Sequence, residues 1–122
     1  MKRIVVNVMN KDQIKDWHAH VYFDAASRDA AWALRERIEK TFPIEMGRFH
    51  EKPVGPHPHF SYQVALTNEQ FLPVMSWLTL NRGELTVFIH PNTGHDLEDH
   101  RDRAIWMGRQ VPLVLDIFMK KD

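Results

Sequence analysis

With 122 residues the chain has the length of one domain, 1–122, and can bury a single core rather than two. Hydrophobic residues make up 43% and charged residues 26%, a globular composition that excludes a disordered one. Lys plus Arg and Asp plus Glu both number 16, so no cationic excess is present to bind nucleic acid, and the lack of cysteine excludes disulfides, thiolate metal sites and a cysteine nucleophile.

The opening MKRIVVNVMNKDQ is briefly basic and apolar, but Asn7 and Asn10 interrupt it before signal-peptide length. No apolar run reaches transmembrane length, so a cytoplasmic location with no membrane partner is expected. Trp17 to Phe23 (WHAHVYF) is rich in aromatic and β-favouring residues and predicts a first strand. The following AASRDAAWALRERIEKTF predicts a helix, with Ala31, Leu34 and Ile38 at helical spacing, Arg35, Glu36 and Glu39 on the wet side, and Pro43 beyond its end. Glu45 to Glu51 and His59 to Leu66 read as an antiparallel pair joined by the turn-rich KPVGPHP.

Thr67 or Asn68 can cap a second helix running to about Asn81, with Phe71, Val74, Met75 and Leu78 as its apolar stripe and Arg82-Gly83 ending it. Pro73 argues against that helix unless it sits near the first turns or bends the axis. Leu85 to His90 completes β-α-β-β-α-β, the order of a ferredoxin-like α+β sandwich with an antiparallel sheet and two helices on one face. The C-terminal extension is expected to hold a polar loop, a short helix near Asp99 to Trp106 and an apolar end able to add an edge strand.

Strand alternation sorts the histidines. His18, His20 and Tyr22 share one face of the first strand while Ala19, Val21 and Phe23 share the other, which suits a core under helices. By the same rule Phe60, Tyr62, Val64 and Leu66 face the helices, and His59, Ser61 and Gln63 face away. In the last strand Thr86, Phe88 and His90 face away. With the first strand between the third and fourth, imidazoles from three neighbouring strands meet on the open face, His18 beside His90, His20 near Ser61 or Gln63, and His59 near Tyr22.

Any one of these histidines alone is an ordinary surface residue. Grouped and without cysteine, they suit Fe, Zn, Cu or Ni in a nitrogen-rich site with open positions. A carboxylate ligand would have to come from Asp96, Glu98 or Asp99, and a site made of histidines alone is the other arrangement. Arg48 and His50 are expected on the open face of the second strand with Phe49 in the core, and Arg48 suits a substrate carboxylate, although a solvated surface arginine is the plainer reading. The four tryptophans are read as core or rim, His95 as a loop residue and His100 as loop or lid. A sheet with one bare face also calls for a lid or a partner, and a homodimer is expected.

The segments WHAHVYF, RFHEKPVGPHPHFSYQVAL and HPNTG with the DH pair that follows resemble the DOPA 4,5-dioxygenase family over nearly the whole chain. GPHPHFSYQ and HPNTG are the most specific pieces, because propensity explains neither. The resemblance implies the ferredoxin-like fold and non-haem extradiol cleavage of a catechol such as DOPA by O2, with Fe(II) as the metal and zinc or another divalent ion as the alternative. Carried over by position, the family's histidine-rich pattern falls on His18, His20, His57, His59, His90 and His100, with Tyr62 and Gln63 inside the motif. The resemblance leaves open which of them bind metal; the roles expected here are metal ligation by His18, His20, His59 and His90, catalysis by His20, His57, His59 and Tyr62, and substrate contact by Arg48, His50, Ser61, Gln63 and His100. A non-catalytic ferredoxin-like module binding a small aromatic ligand and a zinc hydrolase are the competing readings.

Overall fold

The structure is a computed structural model that describes residues 8–119. After a single 3₁₀ turn at Lys11–Gln13, the elements run β1 Asp16–Phe23, α1 Arg28–Thr41, β2 Glu45–Met46, β3 Phe60–Leu66, α2 Asn68–Asn81, β4 Thr86–Asn92, α3 Asp96–Arg101, β5 Ile105–Met107 and α4 Asp116–Met119. The sheet order is β2-β3-β1-β4-β5 and every pairing is antiparallel. The first four strands and two helices are the expected ferredoxin-like sandwich. No helix among the described residues is long and apolar enough to cross a membrane.

Alternation along the strands produces two unlike faces. Ala19, Val21, Tyr62, Val64, Val87 and Ile89 are fully buried and meet Ala31, Leu34 and Ile38 of α1 and Val74 and Leu78 of α2. Each fully buried Leu or Ile of this layer stabilises the fold by roughly 1.5–3 kcal/mol, which fixes the helices to that face. Thr67 caps α2 through a reciprocal bond with Gln70, and Arg82 with Gly83 at φ 62° ends it. Pro73 lies on the exposed side of α2, so the carbonyl of Glu69 that it leaves without a donor faces water and the helix stays continuous.

Three expectations need correction. The second strand does not run to Glu51: β2 stops at Met46 and pairing resumes only as the bridge His50↔Ser61. Three residues (47–49) there oppose two (62–63), which is a β-bulge. Gly47 permits it, because a Cβ at that position would lie 3.2 Å from the Cβ of Gln63. Arg35 is not on the wet side of α1 either; its guanidinium lies over Trp32 and Tyr62 at 5.4 Å each. Finally, the helix in the extension spans Asp96–Arg101, and the edge strand is β5, Ile105–Met107, rather than the apolar end of the chain.

Candidate metal centre and acid–base pair

The open face carries the chemistry. His18 pairs with His90 across β1 and β4, and His20 lies between Gln63 of β3 and Phe88 of β4. Ligand nitrogens of His18, His20 and His90 all lie within 4.8 Å of one another, and the two Nε2 atoms of His20 and His90 are 3.1 Å apart. His90 Nδ1–H donates to the carbonyl of Pro91 at 2.9 Å, which leaves its Nε2 as a lone pair aimed at His20.

Burial holds these rings neutral. His20 is 5% exposed and His90 1%. Desolvation pushes His20 well below its ordinary pKa, with His57 and His90 adding to the effect, and brings His90 down to about 3. His18, half-buried, is lowered by burial while Asp16 opposes the shift. Three neutral imidazoles fit a metal ion: two nitrogens bound at about 2.0–2.1 Å to one ion stand roughly 3.0–3.4 Å apart, the spacing His20 and His90 already have.

A second pair lies beside this group. The turn Val54–His57, closed by His57 N–H to the Val54 carbonyl and made possible by Gly55 at φ 57°, returns the chain over the sheet. It sets the His57 ring 4.1 Å from His20 and its Nδ1 2.7 Å from the Tyr22 hydroxyl. Burial lowers His57 to about 4, with His100 and His50 adding to the shift, and burial also raises the Tyr22 phenol. Both groups are therefore neutral at physiological pH, and their hydrogen bond can run in either direction. Reversing it converts the free nitrogen of His57 from acceptor to donor.

Aromatic rings wall the site. Phe88, fully buried at its centre, stacks on Trp106 of β5 at 4.7 Å, and Tyr22 lies 6.1 Å from Trp106. On the other side His100 of α3 lies 4.0 Å from His90 with Phe118 of α4 against it at 4.5 Å. The C-terminal segment crosses above, tied by Val114 N–H to the Pro56 carbonyl at 2.8 Å. The chain's own loop, α3 and C-terminal segment cover this face and leave His20, Tyr22, Ser61, Phe88 and His90 buried.

The expected site residues separate clearly. His18, His20 and His90 come together as expected, with His57 and His100 against them. His59 does not join them: it is exposed, with its ring 5.9 Å from Tyr22. Two residues of sequence place His59 past the turn, and the buried position beside His20 is taken by His57. Tyr62 is also corrected, because it lies on the helix side of the sheet, fully buried, donating its hydroxyl to the carbonyl of Ala31 at 3.0 Å.

Gln63 and Ser61 share the open face beside His20 and Tyr22, and His50 sits half-buried on Ser61. Arg48 is exposed and makes no side-chain bond among the described residues. The carboxylate ligand is absent from the trio, for Asp99 is turned to Thr93 and Arg103. Tyr22 and Trp106 were not assigned chemistry from sequence. Alternation had put Tyr22 on the histidine face, which was the available signal; nothing local marked Trp106.

Two results are expected here. Tyr62→Phe should lower stability by about 1 kcal/mol through the lost bond to Ala31 and leave turnover unchanged; a collapse of turnover in a folded variant would return Tyr62 to the site. Acid should destabilise the metal-free protein. Folded His57 and His90 titrate near 4 and 3, against about 6.5 in the unfolded chain, so the unfolded chain takes up protons first as pH falls. Their contribution is complete above about 6.5, and each pH unit down toward the folded values removes up to about 1.4 kcal/mol per histidine. Urea midpoints by tryptophan fluorescence should fall between pH 7.5 and 4.5; a constant midpoint would mean these rings are not buried neutral.

The Dopa 4,5-dioxygenase family model matches residues 17–117. A protein from Amanita muscaria named DOPA 4,5-dioxygenase is 38% identical over 112 residues, covering 84% of this chain and 49% of that protein. An uncharacterized 21.2 kDa protein from Botryotinia fuckeliana is 43% identical over 110 residues, covering 80% and 60%. The chain thus spans about half to three fifths of the curated relatives it matches. A crystal structure of a "putative dioxygenase" from Nostoc punctiforme superposes with a TM-score of 0.88 at 43% identity, covering 92% of this chain and 96% of that one.

Proposed function

Since the chain belongs to the DOPA 4,5-dioxygenase family, we propose that it cleaves the ring of a catechol, DOPA or a related catecholic acid, beside its diol with O2, using Fe(II) held by His18, His20 and His90. The observation that carries this reading is the buried, neutral histidine trio with the Tyr22–His57 pair beside it. When bound, ferrous ion supplies the one-electron chemistry that lets a closed-shell catechol react with triplet oxygen.

The chain's own residues do the rest. His57 accepts the proton of a catechol hydroxyl as the substrate binds, Tyr22 turning its hydroxyl to support the charged ring, and His57 returns the proton to the ring-opened product. Phe88 and Trp106 keep water from the reacting ring. Gln63 and Ser61 line the wall beside it, His50 and His100 close its margins, and Arg48, free at the surface, receives an acidic side chain of the substrate. A reducing cytoplasm suits this reading because it keeps the iron ferrous. Exposed Ile105, Val114, Ile117 and Met119 lend a homodimer some support, and sedimentation at high concentration tests it.

Three imidazoles also suit zinc, so a hydrolase is the reading to be separated. The test is oxygen uptake by protein reconstituted anaerobically with Fe(II) and offered DOPA, caffeate, protocatechuate and catechol, with a zinc-loaded control and absorbance followed for a ring-opened product. Uptake with iron alone is expected; bound iron with no uptake on any of the four would remove the ring-cleavage reading for this substrate class.

A further inference from the structure

Asp99 is the one buried acid of the described residues, 1% exposed, and the chemistry above does not use it. It is one residue from His100 on α3, and its carboxylate is fully engaged. One oxygen accepts Thr93 N–H at 2.7 Å; the other accepts the Thr93 hydroxyl and Arg103 Nη1, both at 2.8 Å. Arg103 Nη1 also reaches the Thr93 hydroxyl at 2.9 Å. Thr93 directly follows β4, whose His90 is a member of the trio and whose Asn92 donates to Asp16 at the start of β1.

The helix being held is weak by itself. α3 has six residues, and its N-cap residue His95 makes no side-chain cap bond. A helix this short does not persist without tertiary anchors. Its anchors are the Asp99 clamp at β4 and contact with α4, where Phe118 presses on His100. His100 itself is oriented by Nδ1–H donating to the Asp96 carbonyl at 2.7 Å, and lies 4.0 Å from the His90 ring.

We propose that Asp99 is a positioning residue for the histidine trio: by clamping α3 to the turn after β4 it holds His100 against His90 and so fixes the plane of the His90 ring. The inference rests on the trio being a metal site. A carboxylate that sequence alone offers as a ligand thus acts through the outer layer, where a change typically lowers metal affinity by about 10–100-fold.

The experiment is a Co(II) titration, followed by visible absorption and competed with a chelator, on wild type, Asp99→Asn, His100→Ala and the double variant, with circular dichroism to confirm folding. Asp99→Asn and His100→Ala should each bind about tenfold more weakly, and the double variant no more weakly than His100→Ala, because both act along one path. Thr93→Val, which removes one donor and keeps the carboxylate, should move affinity in the same direction should Asp99→Asn fail to fold. Wild-type affinity in Asp99→Asn, or fully additive losses in the double variant, overturns the inference. A wild type that takes up no Co(II) overturns the metal reading and this inference with it, which distinguishes the two failures.

Discussion

Alanine at His20 or His90 should abolish ring cleavage and weaken metal binding by at least about a hundredfold, while alanine at His59 leaves both near wild type. The difference comes from the geometry. His20 and His90 stand 3.1 Å apart at Nε2, neutral and buried, so losing either ring leaves the trio with two nitrogens. His59 is exposed beyond Tyr22 and contributes no nitrogen to the trio. The folded state should survive each change, because a buried imidazole forgoes its solvation and the surrounding packing rests on Phe88 and the helix-side core. Metal content after gel filtration, together with oxygen uptake, is the measurement. Full occupancy in both His20→Ala and His90→Ala would move the site elsewhere.

The second large effect separates acid–base work from metal binding. His57→Ala should retain the metal but lower kcat by about 10²–10⁴-fold, the usual loss when a positioned proton carrier is removed. Tyr22→Phe removes only the hydroxyl, 2.7 Å from His57 Nδ1, and should lower kcat by less. Since the two act as a unit, Tyr22→Phe in the His57→Ala background should add almost nothing. Single-turnover rates with metal content fixed check this; independent, multiplying losses would show that Tyr22 works through another group. His57→Ala with unaltered kcat would leave the pair with only a packing role.

Much of this arrangement is written locally. Period-two alternation in WHAHVYF, HFSYQVAL and LTVFIH is a property of extended backbone, so which side chains share a face follows from spacing once each strand is recognised. The sandwich order, the Thr67 cap, the Arg82-Gly83 stop and the pairing of His18 with His90 follow in the same way. Alternation also puts Tyr62 on the helix side, where it lies buried, so the catalytic role expected of it rested on its place in a family motif alone.

Other features depended on contacts distant in sequence. The choice of His57 over His59 is made by the turn at Val54–His57, whose path over the sheet is set by where β3 begins and by the C-terminal segment hydrogen-bonded to Pro56. Arg48 and Phe49 lie in a bulge that hydrophobic pattern does not mark, since one extra residue changes the register without changing composition. Trp106 reaches the site only because β5 pairs with β4, and Asp99 turned from candidate ligand to clamp because Arg103 and Thr93 reached its carboxylate first. By itself, then, the sequence determined the fold class and the histidine face, because both follow from short-range periodicity and from burying one side of each element. Only the tertiary structure decided which imidazoles meet, which phenol lies against them and what covers them, because those depend on register, turn path and long-range closure that no local spacing encodes.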